Sequence, residues 1–149
     1  MPPITITIAP MSEETLEAVA ALEKACFTAP WSLKGLREEL VNPMAFFIVA
    51  LIDGQVAGYA GLHHVLDEGF IANVAVGESY RRRGVASALL EAFIAYAREH
   101  GLVLLTLEVR VGNTAAQALY QQYGFVEDGR RKDYYRHPTE DALLLGLHF

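Results

Sequence analysis

The spacing of apolar residues changes period several times along the chain, and each change marks an element. Ile4-Thr5-Ile6-Thr7-Ile8 alternates every second residue and predicts a first, half-buried strand. Met11-Ser12-Glu13-Glu14 then opens a helix with Ser12 as candidate N-cap, and Leu16, Val19, Ala20 and Leu22 carry helical spacing to about Cys26. Phe27 to Ser32 breaks the pattern, because Pro30 turns Ala29 away from helical dihedrals. Ser32 can cap a second helix through Leu36 and Leu40, ending near Asn42-Pro43. Ala45 to Ile52 reads as a strand, and Asp53-Gly54 as a hairpin turn into Val56 to Leu62. Phe70 to Val76, apolar and partly β-branched, completes an antiparallel meander. Val85, Leu89, Ala92, Phe93 and Tyr96 share one face of a long helix running to about His100-Gly101. Beyond it come a strand from Leu102 to Val109, a short helix capped by Asn113 and stopped at Gly124, and two closing strands at Phe125 to Glu127 and Ala142 to Leu145. The basic and aromatic segment Arg130-Arg131-Lys132-Asp133-Tyr134-Tyr135 is expected as a loop between those two.

One stretch breaks a local rule. Arg81-Arg82-Arg83-Gly84-Val85-Ala86-Ser87 leads into the long helix, where the partial positive charge of the helix end favours Asp or Glu. Three arginines there call for an external anion, most simply a phosphate held by backbone N–H groups and guanidinium. The plainer alternative is a solvated charge run at the start of a surface helix. Neither G-x-x-x-x-G-K-[ST] nor G-x-G-x-x-G follows the strand, so two familiar phosphate loops are set aside.

Composition then narrows the class. A chain of 149 residues, without linker, repeat or low-complexity segment, is expected to form a single domain over 1–149. A hydrophobic fraction of 52% excludes a largely disordered chain. The longest uncharged apolar run, Met44 to Ile52, is too short to span a membrane, and no leader pattern opens the sequence. Cys26 is the only cysteine, which excludes an intrachain disulfide and suits a reducing cytoplasm. A net charge of −6 makes a poor nucleic-acid binder and favours a cationic partner.

Several side chains outside the arginine turn could carry chemistry. Trp31, in the break between helices, is either a core plug or a wall of a substrate groove. His63, His64, Asp67 and Glu68 cluster in sequence, but adjacent strand histidines face opposite ways and no H-E-x-x-H accompanies them, so no metal is expected. Glu108 sits on an otherwise apolar strand and must face water or be paired. Arg110 offers an ion pair, which opposite strand faces would weaken. Tyr120 lies two helical turns beyond Asn113, at a similar azimuth.

The pattern [QR]-x-x-G-x-[GA], spelled by Arg81, Gly84 and Ala86, resembles the pyrophosphate motif of the GNAT acetyltransferases. The resemblance covers nearly the whole chain. Within that superfamily the sequence is similar to the RimI-type ribosomal-protein alanine N-acetyltransferases, through Pro30-Trp31-Ser32, Leu66-Asp67-Glu68, Asn73 to Val76, Leu107 to Arg110, Leu119-Tyr120, Gly124-Phe125, Tyr134-Tyr135 and Glu140 to Ala142. In that family pattern proline directly follows the tyrosine pair, whereas here Arg136-His137 intervene before Pro138. The implied fold is α/β (α+β): a central mixed, mostly antiparallel twisted sheet of about seven strands flanked by four helices.

The resemblance also implies roles. Acetyl-CoA would be the co-substrate, with Val74, Ala75 and Val76 pairing with its pantetheine arm. Arg81, Arg82, Arg83, Gly84, Val85, Ala86 and Ser87 would hold its pyrophosphate, and Asn113 its arm. Glu108, directly or through water, would deprotonate an acceptor amine; backbone near Val76 would serve the developing oxyanion; Tyr120 would protonate the leaving thiolate. Trp31, Asp67, Glu68, Tyr134 and Tyr135 would bind the acceptor, a cationic protein N-terminus. The protein is expected in the cytoplasm as a monomer or weak homodimer, away from membrane and nucleic acid. A lysine or small-amine acetyltransferase and a non-catalytic acyl-CoA module are the competing readings; the presence of both Glu108 and Tyr120 argues against the latter.

Overall fold

The computed structural model describes residues 4–149. One sheet holds all seven strands: β1 (Thr7–Pro10), β2 (Ala45–Ile52), β3 (Gln55–Val65), β4 (Glu68–Val76), β5 (Leu104–Arg110), β6 (Val126–Tyr135) and β7 (Glu140–His148). Their spatial order is β1-β2-β3-β4-β5-β7-β6, and every neighbouring pair is antiparallel except β4 with β5. That parallel pair requires a crossover, supplied by α3 (Val85–Glu99). The other helices are α1 (Leu16–Cys26), α2 (Leu33–Glu39) and α4 (Thr114–Gln122).

The sheet divides two apolar cores. Leu89, Phe93 and Ala97 of α3 pack with Leu62, Ile71, Leu105 and Leu107 on one face. Leu16, Val19 and Leu36 of α1 and α2 pack with Phe47, Val49, Tyr59 and Ala75 on the other. Successive strand residues serve opposite cores, which is why the central strands read as apolar runs and not as alternating apolar and polar residues. The first turn of α3 is pressed directly onto β3: a Cβ at Gly58 would lie 2.8 Å from both the Ala75 carbonyl oxygen and Val85 Cγ1. This close approach sets where the helix begins relative to β4.

Capping follows chemistry, with one correction. Ser32 Oγ accepts from the Gly35 N–H at 3.0 Å and Asn113 Oδ1 from the Ala116 N–H at 3.2 Å, each an N-cap worth about 1 kcal/mol. Ser12 does not cap α1. Its own N–H donates to Thr15 Oγ1, and Thr15 immediately precedes the helix. The first strand is also displaced, since pairing with β2 holds Thr7 to Pro10 and leaves the half-exposed Ile4 outside. The segment from Arg130 to Tyr135 belongs to β6 and is not a loop; it pairs with β7 and forms the sheet's outer edge.

Candidate active site

The site begins at an irregularity in β4. Gly61 pairs with Asn73 and Leu62 with Ile71, so Ala72 is an extra residue, a β-bulge. Parallel pairing of β4 with β5 stops at the same level, Ile71 opposite Leu107. Past that point β5 continues along β7 to Arg110 and β4 continues along β3 to Val76. The Gly77 N–H bonds to the Ala57 carbonyl at 2.8 Å. By antiparallel alternation the main-chain groups of Ala75 then face β3, while those of Val74 and Val76 face the gap left by β5. Of the expected trio, therefore, Val74 and Val76 present hydrogen-bonding groups there and Ala75 does not.

The gap opens into a cleft of about 980 Å³. At its far end lies the start of α3, where Gly84 adopts φ +82° and Arg82 φ +64°, and no side chain caps the helix. Such alternating backbone turns several N–H groups inward, and the first four of an α-helix have no internal acceptor. A Cβ at Gly84 would meet nothing within 4 Å, so the loop leaves open space in front of these donors. None of the three arginines is ion-paired among the described residues. Every residue expected on the cofactor side lines the cleft except Arg83. Open N–H groups, free guanidiniums and a strand edge with spare main-chain groups fit the pyrophosphate and the amide-bearing arm of acetyl-CoA. Asn113 lines the cleft too, although its Oδ1 is already engaged as the α4 cap.

Glu108 and Tyr120 meet in this cleft, from β5 and α4. The Glu108 side chain is only 11% exposed and is ion-paired with Arg131 of β6 at 3.2 Å. Arg131 pairs with Ala142 and Ala142 with Arg110, so the guanidinium reaches across β7 over a short side chain. Arg110 is two positions from Glu108 and shares its face, contrary to the opposite faces expected. It instead binds Glu140 at 3.3 Å and the Arg136 and Pro138 carbonyls at 3.1 Å, with Tyr135 4.4 Å beneath its guanidinium. Arg110 thus fastens the β6–β7 hairpin beside the cleft. Hydrogen bonding to Glu108, with partial burial second, raises the Tyr134 hydroxyl above its ordinary value. Burial pushes the Tyr120 hydroxyl up to about 12, with Tyr135 adding to the shift. A phenol so shifted keeps its proton throughout the neutral range, as a proton donor must.

The expected acceptor wall is assembled only in part. Tyr134 and Tyr135 line the cleft; Trp31, Asp67 and Glu68 do not. Trp31 packs edge-on to Phe47 at 5.7 Å and stacks near His63, whose Nε2 lies 3.0 Å from Glu39 Oε2. Asp67 occupies the β3–β4 turn and gives its carbonyl to the Val103 N–H, while Glu68 pairs opposite Leu104, four residues short of Glu108. Cys26, Phe27, Phe70 and Asn73 line the cleft without having been singled out as site residues from sequence. Among the described residues, no group of three or more His, Cys, Asp or Glu side chains is arranged to hold a metal ion, and no helix is long and apolar enough to cross a membrane.

A splayed parallel strand pair, with an open, arginine-rich helix start at one end and a carboxylate and a phenol in the gap, fits the transferase site that the resemblance implies. Residues 16–125 match the acetyltransferase (GNAT) family. The chain belongs to that family. It is 36% identical over 145 residues to the [ribosomal protein bS18]-alanine N-acetyltransferase of Escherichia coli K12, covering 95% of this chain and 96% of that one. A Bacillus subtilis relative is 37% identical over 136 residues, covering 91% and 90%. The crystal structure of the Escherichia coli ribosomal-protein-S18-alanine N-acetyltransferase superimposes with a TM-score of 0.90 at 34% identity, over 97% of this chain and 94% of that one.

Two substitutions separate cofactor binding from chemistry. Gly84→Glu places a carboxylate before the open N–H groups and is expected to abolish acetyl-CoA binding in a folded protein, read by calorimetry; wild-type affinity would contradict the cradle. Tyr120→Phe removes only a hydroxyl, so acetyl-CoA affinity should stay near wild type while single-turnover acetyl transfer slows about 10²–10⁴-fold. An unchanged single-turnover rate would reduce Tyr120 to a packing residue.

Proposed function

We propose that this enzyme transfers the acetyl group of acetyl-CoA to the N-terminal α-amine of a protein, a ribosomal-protein alanine being the preferred acceptor, in the cytoplasm. The observation that carries the reading is the convergence of Glu108 and Tyr120 on a gap whose β4 wall offers main-chain groups without a strand partner. The relatives named for bS18-alanine acetylation supply the acceptor class.

When bound, acetyl-CoA supplies an acetyl thioester. Arg81, Arg82 and the N–H groups of Gly84 to Ser87 hold the phosphates, and the main-chain groups of Val74 and the Val76 carbonyl hold the arm as an added strand. An α-amine has an ordinary pKa of about 7.7–8.0, so at pH 7 most of it is protonated and unreactive. Glu108 takes that proton, directly or through water. Its partner Arg131 is half exposed and belongs to the edge strand, so an incoming ammonium can replace one cation by another at the carboxylate. The Val76 N–H donates to the acetyl oxygen as negative charge gathers there. Tyr120 gives its proton to the departing sulfur.

An α-amine is easier to deprotonate than a lysine ε-amine by about two and a half pKa units, which a single carboxylate can exploit. Asp67 and Glu68 do not join this mouth, so the preference rests on the amine rather than on an acidic wall. A peptide carrying both an N-terminal alanine and an internal lysine tests it directly. Limited reaction followed by fragmentation should place acetyl on the α-nitrogen, and predominant ε-acetylation would overturn the assignment.

A further inference from the structure

Among the described residues Glu23 is the only charged residue that is buried, and no step above uses it. It lies on the inward face of α1, a turn beyond Val19, and is in no ion pair among the described residues. Three donors surround its carboxylate instead. Oε1 accepts from the Trp31 N–H at 2.8 Å. Oε2 accepts from the Tyr59 hydroxyl and from Asn73 Nδ2, the latter at 2.9 Å. Burial, with the Glu23 hydrogen bond second, raises the Tyr59 hydroxyl and keeps it a donor.

This arrangement dictates which way the Asn73 amide points. A carboxylate only accepts, so the amide must turn its NH₂ inward. Oδ1 is then the outward atom; it has no protein partner among the described residues, and it is not sealed from solvent. Asn73 lines the cleft and follows the bulge at Ala72, which sets its side chain on the sheet face turned to α1 and α2. Glu108 projects on that same face, because Leu107 and Val109 on either side of it enter the opposite core. The cleft therefore contains an outward-facing neutral acceptor next to the bulge, held in orientation by the buried Glu23 side chain that takes the Asn73 NH₂.

We propose that Asn73 binds the acceptor, its Oδ1 receiving a hydrogen bond from the acceptor's amine, and that Glu23 is a positioning residue that fixes this orientation. The proposal rests on the reading of the cleft as the place where an amine meets the thioester. Neither residue contacts the phosphate cradle at the start of α3. Loss of either is accordingly felt in acceptor binding and not in acetyl-CoA binding.

The experiment is a double-mutant cycle on Asn73→Leu and Glu23→Gln, with the peptide that the wild type acetylates as acceptor. If the wild type acetylates no N-terminal peptide, the proposed function fails before the cycle begins. Asn73→Leu keeps the shape but cannot accept, and should raise the acceptor KM about ten- to a hundredfold, the worth of a hydrogen bond from a charged or nearly charged donor. The acetyl-CoA dissociation constant should not move. Glu23→Gln gives three donors one oxygen, and its NH₂ requires the Asn73 Oδ1, turning that amide over; it should raise the same KM. Because both act through one atom, the double variant should be no worse than the poorer single variant. An unchanged acceptor KM in Asn73→Leu would overturn the proposal, and additive losses would overturn the coupling to Glu23. If Asn73→Leu does not fold, Asn73→Ala is read in its place against the same criterion; if Glu23→Gln does not fold, the Asn73 variant decides the acceptor role alone.

Discussion

The extra residue at Ala72 is the constraint on which the site depends. It coincides with the last parallel pair between β4 and β5, and beyond it the two strands keep only their outer partners. A sheet interrupted in its middle leaves main-chain N–H and C=O groups without strand partners, and such groups must find water or a ligand. Here they flank a cleft that also receives Glu108 from β5, Tyr120 from α4 and the start of α3. Ordinary pairing through Val76 and Arg110 would close the gap and bury these groups against each other. The same bulge turns Asn73 toward Glu23, so the opening of the sheet and the buried polar network share an origin.

Charge is distributed to match. The three arginines stand at a helix end that repels them, which is tolerable because that end is exposed, and it leaves the end suited to an anion. At the other side of the cleft the ionic contacts are internal: Arg131 with Glu108, and Arg110 with Glu140 and two hairpin carbonyls. The first of these leaves a half-exposed cation on Glu108, while the second fastens the hairpin and steadies Tyr135. Arginines at the rim therefore do different work according to burial and partner number.

Much of this was legible in the sequence because it follows from local rules. The hairpin at Asp53-Gly54, the caps at Ser32 and Asn113, the α3 stripe and the rule-breaking arginines each depend on residues close in the chain. What was missed depends on contacts between distant segments. The run from Arg130 to Tyr135 looks like a loop because it is charged, yet charge is what an edge strand carries to remain unpaired on its free side. Arg131 reaches Glu108 only through the order β5-β7-β6, which no local pattern predicts. Ser12 is a local exception, a residue of cap-forming type displaced from the helix start by Thr15, which stands directly before α1. Glu23 and Asn73 did leave a signal, a carboxylate on the buried stripe of a helix and an amide within an apolar strand, but its meaning required the pairing of α1 with β3 and β4.

Amide hydrogen exchange tests the central claim, that the interrupted sheet is completed by acetyl-CoA acting as an added strand. The Val74 and Val76 N–H groups face the gap, whereas the Ala75 N–H already bonds to β3. Saturating acetyl-CoA should slow exchange at Val74 and Val76 and leave Ala75 unchanged. Protection confined to the start of α3, with Val74 and Val76 exchanging as in the free protein, would contradict it.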